Sequence, residues 1–174
     1  AGNNRILEAM NRPYTREHYL GIIERARKYV PGIALSTDVI VGFPTETEAE
    51  FEDTFSLMNE VRYDTAFMFK YSERPLTKAS RLEDDIPEEV KVARLERLIA
   101  LQQQIARECN EAQVGKLSEI LIEGTAPKDA AMWSGRTPDF RPVVVPMNGE
   151  AIGDIVSVKL DSLVGFTFHA SRLS

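Results

Sequence analysis

The sequence predicts an α/β segment followed by an all-β segment, and three observations carry that prediction. Helix-type and strand-type patterns alternate over the first part of the chain, with roughly 30 residues from strand to strand, the spacing of βαβ units on a parallel sheet. A long amphipathic helix follows. Beyond Val114 the style changes to short β-type runs divided by Gly, Pro, Asp and Asn. The division expected is residues 1–112 and 113–174, which suits 174 residues that are 43% hydrophobic and 28% charged and excludes a disordered or fibrous chain.

Taken in order, residues 5–10 form a short patterned segment. From Thr15 the apolar positions Tyr19, Ile22, Ile23, Ala26 and Val30 recur at helical spacing, Thr15 caps the first turn, and Pro31-Gly32 ends the run. Residues 33–41 are rich in branched apolar side chains and read as a parallel strand buried on both faces, closed by Gly42-Phe43-Pro44. Thr47 and Glu50 make a capping box for a helix carrying Phe51, Phe55 and Met58. Alternation at Thr65, Phe67, Phe69 and Tyr71 predicts a second strand over 64–71. After a polar loop, Pro87-Glu88-Glu89 opens the long helix to about Ala112, with Val92, Leu95, Leu98, Ile99 and Ile105 as its apolar stripe. The strands expected beyond it are 117–123, 132–136, 142–146, 152–160 and 165–170, enough for a small barrel. Two or three βα units cannot close a barrel of their own.

Composition narrows the function. A net charge of -6 argues against a protein that coats nucleic acid electrostatically, although the first 29 residues are locally basic. The single cysteine, Cys109, permits no internal disulfide and no cysteine-ligated cluster or structural zinc built from this chain, and it points to a reducing compartment. Apolar runs fall far short of the ~20 residues of a membrane span, so a cytoplasmic protein without a membrane partner is expected. The abrupt opening fits either a cut through a larger protein or a short natural N-terminus.

Several residues could carry chemistry. Gly42-Phe43-Pro44-Thr45-Glu46 follows a strand and leads into a helix; it either receives a ligand at a helix N-terminus or merely turns the chain. Asp38, inside an apolar strand, either faces a polar site or marks an exposed stretch. Arg74 beside Tyr71 is either an RNA contact or a surface turn. In the β segment Trp133, Arg136, Phe140, Arg141 and Lys159 interleave aromatic and basic groups as RNA-binding barrels do, or they simply decorate a barrel with one core tryptophan. His18 and His169 have no spaced partners for a metal, so no metal ligand and no catalytic residue is assigned.

The segments 2–17, 35–48 (Leu-Ser-Thr-Asp-Val-Ile-Val-Gly-Phe-Pro-Thr-Glu-Thr-Glu) and 71–79 (Tyr-Ser-Glu-Arg-Pro-Leu-Thr-Lys-Ala) together resemble the radical S-adenosylmethionine methylthiotransferases. Residues 62–69 and the Arg-Pro after Tyr-Ser resemble the branch acting on isopentenyladenosine beside the tRNA anticodon. Residues 135–137 and 152–158 are similar to the family's C-terminal TRAM module, a small RNA-binding barrel. The resemblance implies the C-terminal part of a partial (β/α) radical-SAM barrel followed by a small TRAM-type β-barrel.

Further expectations follow from the resemblance. The complete enzyme would use S-adenosylmethionine and two 4Fe-4S clusters. The cluster-binding cysteines are absent here, so this chain would bind no cofactor and be inactive without the missing N-terminal domains. Gly2, Asn3, Asp38, Gly42, Phe43 and Pro44 match cofactor-side positions, and Arg136, Arg141 and Lys159 are the residues expected to contact the tRNA anticodon stem-loop. Thr45 and Leu76 stand where the family commonly has glycine, Pro13 where it frequently has glycine or lysine, and His18 where a Glu would complete the Thr15 capping box. A stand-alone RNA-binding adaptor and a ribosomal-protein methylthiotransferase piece are the alternatives.

Overall fold

The computed structural model describes residues 1–173, which fall into two compact units, Ala1–Ala106 and Arg107 onward. In the first, helix α1 spans Asn4–Ala9 and α2 Arg16–Tyr29, strand β1 spans Ser36–Val41, helix α3 Glu48–Val61 and strand β2 Thr65–Lys70. A 3-10 turn at Ala79–Arg81 precedes helix α4, Glu88–Glu111. The capping chemistry is as expected: Thr15 accepts the His18 N–H, and Thr47 and Glu50 form the reciprocal capping box.

Strands β1 and β2 pair in parallel, from Ser36 opposite Thr65 to Val41 opposite Lys70. Val39 and Val41 point into a core with Ile23, Phe51, Leu57, Met58, Val61, Tyr63 and Leu98. The other face is uncovered among the described residues: Ser36 and Asp38 are exposed, and Phe67 and Phe69 stand beside them at 58% and 52% exposure. The strand expected to be buried on both faces is therefore shorter and buried on one. Its polar Asp38 lies on the open side, where a carboxylate keeps its water. Two strands form no barrel by themselves, and the α/β unit matches the sequence expectation only as βα units on a parallel sheet.

The stripe on α4 also differs. Val92 is exposed at 37%, and the face turned inward carries Lys91, Arg94, Leu98, Gln102 and Ile105, spaced at three or four residues as a buried helix face must be. Polar side chains occupy three of those five positions because each has a hydrogen-bonding partner, described below for Lys91 and Arg94; Gln102 donates to the Tyr63 carbonyl at 2.8 Å.

The second unit contains β3 (Leu117–Ala126), β4 (Asp129–Arg136), β5 (Pro142–Pro146), β6 (Ile155–Val164) and β7 (Thr167–Arg172). Their pairings run β3-β4-β5-β7-β6 and return to β3, closing a five-stranded barrel. All are antiparallel except β5 with β7, which meet over only two residue pairs. Alternate residues turn inward, so Ile120, Val143, Val145, Val158, Leu160, Phe168 and Ala170 fill an apolar core with Trp133 beside it. No helix among the described residues is long and apolar enough to cross a membrane.

Candidate functional site

At the carboxyl end of β1 the backbone must leave the sheet and enter α3 within a few residues. Gly42 turns it with φ of 70°, and a Cβ there would lie 2.5 Å from Cγ of Lys91, whose buried stem passes beneath the glycine. The loop closes on itself: the Glu46 N–H donates to the Phe43 carbonyl at 2.9 Å, and the Gly42 N–H donates to Glu46 Oε2 at 2.7 Å.

Glu46 is buried, and Arg94 reaches it from α4, with Nη1 3.0 Å from Oε2 and 3.1 Å from the Glu46 carbonyl. Burial pushes the Glu46 carboxyl above its ordinary range, against the opposing pull of the Gly42 N–H and Arg94. Lys91 Nζ is held by Asp84 at 2.5 Å and lies 5.6 Å from the centroid of the Tyr71 ring. Thr45 adopts φ of 70° despite its side chain, and Arg5 holds it, donating to its hydroxyl at 3.0 Å and its carbonyl at 2.7 Å.

This fixed loop forms one wall of a cavity of about 560 Å³ at the carboxyl ends of both strands. Ile40, Phe43, Phe69 and Tyr71 supply an apolar and aromatic surface, with Phe43 and Tyr71 in edge contact at 5.4 Å. Arg12, Lys70, Arg74 and Lys78 also line it, and no carboxylate does. Lys70 pairs with Glu88, whereas Arg12, Arg74 and Lys78 make no ion pair among the described residues. A flat apolar body carrying an anionic group is the ligand that such a lining suits, and the volume is that of a small-molecule site.

The residues singled out from the sequence divide. Phe43 lines the cavity and Gly42 and Pro44 are buried in the loop behind it, so these three come together. Gly2 and Asn3 instead dock on α3: the Gly2 N–H donates to Thr54 Oγ1 at 2.9 Å, and a Cβ on Gly2 would stand 2.5 Å from the Asp53 carbonyl oxygen. Asn3 caps α1 and donates to Asp53 Oδ2 at 2.7 Å. Asp38 lies outside the cavity lining. The supporting cations Lys91 and Arg94 are missed by sequence reasoning, because charged side chains on the buried face of α4 break the apolar periodicity that would mark that face.

On the barrel, Arg136 of β4 and Lys159 of β6 pair with Leu121 and Leu117 of the intervening β3, so they flank it on opposite sides with an offset of roughly 13 Å along the strand. Arg136 pairs with Glu123 at 3.2 Å. Arg141 is drawn inward, where Nε contacts Asp139 at 2.6 Å and Nη1 contacts Asn110. Among the described residues no three His, Cys, Asp or Glu side chains converge to hold a metal ion.

Residues 1–58 match the model of the radical SAM superfamily, and residues 111–169 match that of the TRAM domain. The chain is 47% identical to the tRNA-2-methylthio-N(6)-dimethylallyladenosine synthase of Chloroherpeton thalassium over 99% of its own length and 39% of that protein's. The enzyme of the same name from Carboxydothermus hydrogenoformans is 45% identical over 97% of this chain and 38% of its own, and that from Porphyromonas gingivalis 47% over 92% and 35%. Along nearly its whole length the chain is similar to these synthases, with a radical SAM match ahead of a TRAM match. The chain spans less than two fifths of the length of those relatives. The radical SAM match runs through the Gly42–Glu46 loop, and the TRAM match spans β3 to β6 and enters β7.

Proposed function

We propose that this chain is the C-terminal part of a tRNA methylthiotransferase that adds a methylthio group to isopentenyladenosine beside the anticodon. Residues 1–112 complete a (β/α) radical-SAM barrel and form one wall of its cofactor site, and residues 113–174 are the RNA-binding TRAM module. The observation that carries the reading is the cavity at the strand ends. Its walls are the Gly-Phe-Pro loop and the segment from Tyr71 to Ala79, two of the segments in which the family resemblance is concentrated. The uncovered sheet face with Phe67 and Phe69 supports it too, since the further strands of a larger barrel would cover such a face.

The lining fits S-adenosylmethionine in part: Ile40, Phe43 and Tyr71 offer a dry surface for an adenine, and Arg12, Arg74 and Lys78, without an ion pair among the described residues, offer donors to its carboxylate. The iron-sulfur clusters do not fit this chain, whose one thiol, Cys109, cannot assemble a ligand set. They belong to the N-terminal domains of the complete enzyme, and this chain alone is inactive. Bound S-adenosylmethionine supplies the radical and methyl chemistry. What these residues do is hold and orient: Gly42 makes room for the Lys91 stem that backs the loop, Glu46 with Arg94 locks the loop, and the aromatic wall keeps water out. Arg136 and Lys159 contact the anticodon stem-loop through its phosphates, and Arg141 contributes by holding its turn.

A chimera tests the reading. Residues 1–174 replace the matching segment of the Chloroherpeton enzyme in a host lacking its own, and tRNA digests are analysed by mass spectrometry. Methylthiolated isopentenyladenosine is expected. Its absence from a folded chimera overturns the assignment, and methylthiolation of a ribosomal protein in its place transfers the chain to the other branch.

A further inference from the structure

Phe140 occupies a position that opposes a phenylalanine twice. Its φ of 64° lies in the left-handed region that side chains with a Cβ seldom adopt, and its ring is 74% exposed. The turn around it is over-determined by buried neighbours. The Thr137 N–H donates to the Arg141 carbonyl at 3.1 Å, the Phe140 N–H to the Thr137 carbonyl at 2.9 Å, and the Arg141 N–H to Thr137 Oγ1 at 3.0 Å. Arg141 then ties Asp139 and Asn110 together, and Thr137 contacts Asp139. Nothing in this network uses the ring, so the turn holds Phe140 out without being built on it.

The guanidinium of Arg136 lies 6.0 Å from the centroid of the ring and is itself steadied by Glu123. A preformed backbone holding an exposed aromatic face beside a guanidinium is the arrangement on which an unpaired base stacks, with the cation beside it for a phosphate. Strain of this kind persists where a surrounding scaffold enforces it, and it points from the outlier to a use. Lys159, across β3 from Arg136 and without an ion pair among the described residues, extends the cationic line.

We infer that Phe140, flanked by Arg136 and presented by the Thr137–Asp139–Arg141 network, is a stacking platform for one unpaired nucleobase of an RNA. The inference rests on the RNA-binding reading of the barrel and adds the residue that would grip a base. Strain and stacking give it a distinctive signature. Phe140→Gly removes both the ring and the backbone penalty, so it should raise the urea midpoint of the chain while weakening an anticodon stem-loop oligonucleotide at least about fivefold, the low end for loss of one stacked base. The salt dependence of binding should stay unchanged because no charge is lost. Phe140→Trp should retain the affinity.

Fluorescence anisotropy of a labelled stem-loop with the full chain reads these outcomes. If Phe140→Gly leaves the affinity unchanged while Arg136→Ala with Lys159→Ala weakens it, the platform is overturned and the RNA reading stands. If the unaltered chain binds no RNA, the underlying reading fails and the platform with it. Unchanged RNA binding together with loss of a protein partner in Phe140→Gly assigns the ring to a protein interface and overturns the platform as well.

Discussion

The α/β unit and the barrel solve the problem of an interior in opposite ways. Beneath the loop at the end of β1 the α/β unit buries a carboxylate, a guanidinium and an ammonium group, in Glu46, Arg94 and Lys91. The centre of the barrel is Ile120, Val143, Val145, Val158, Leu160 and Phe168, and its inward-drawn cation, Arg141, braces a turn. An apolar core is insensitive to the exact rotation of its members. A buried ion pair holds one geometry, because its partners are satisfied only there. The unit that spends charge on its interior is the one with a loop to hold still.

Removing a partner should expose that difference most strongly. Arg94→Ala leaves Glu46 buried without its charge partner and should cost about 3–5 kcal/mol at neutral pH, read by urea unfolding. Phe168→Ala in the barrel core should cost a similar ~3–5 kcal/mol through the cavity it opens. Acidification separates the two. Because the folded state holds the Glu46 proton more tightly than the unfolded chain does, stability from this group falls as pH rises from 4.5 through its raised folded value, and it is regained on acidification. Arg94→Ala should therefore recover partly at mildly acid pH, and Phe168→Ala should not.

Next in size is the loop backbone. Gly42→Ala forces a Cβ into the left-handed region and against the Lys91 stem, and should cost about 1–3 kcal/mol, with loss of any ligand bound in the cavity. The opposite sign is expected at Leu76, fully exposed with φ of 70°: Leu76→Gly should raise stability by about 1 kcal/mol in thermal unfolding. Thr45→Gly should gain less, since it forfeits the hydrogen bond from Arg5. Smallest is the acid response of a surface pair. Arg5 holds the Glu50 carboxyl down to about 2, so its contribution is present above 4.5 and lost as pH falls toward 2. Glu50→Gln should flatten that part of the pH–stability curve.

Local rules were legible wherever one force decided. Thr47 with Glu50 announced its capping box, and alternation placed the barrel strands. The departures of Thr45 and Leu76 from the family's glycines mark two of the positive-φ positions. Legibility ended where a tertiary partner overrode the pattern. Lys91, Arg94 and Gln102 occupy the buried stripe of α4 because Asp84, Glu46 and the Tyr63 carbonyl wait for them, which no periodicity of apolar residues reveals. That Asp139 and Asn110 hold Arg141 is likewise absent from any local pattern. Asp38 left two readings open because nothing in its neighbours tells which face of the strand is covered.

Ring closure gives every strand from β3 to β7 a neighbour on both sides, so a barrel amide in the middle of its ladder exchanges with deuterium only when the ring itself opens. Strands β1 and β2 each keep one lateral edge unpaired among the described residues, with Phe67 and Phe69 bare on the adjoining face. In a concentrated solution of this chain, intermolecular strand pairing would start there, and rapid deuterium uptake along those two edges would mark where it begins.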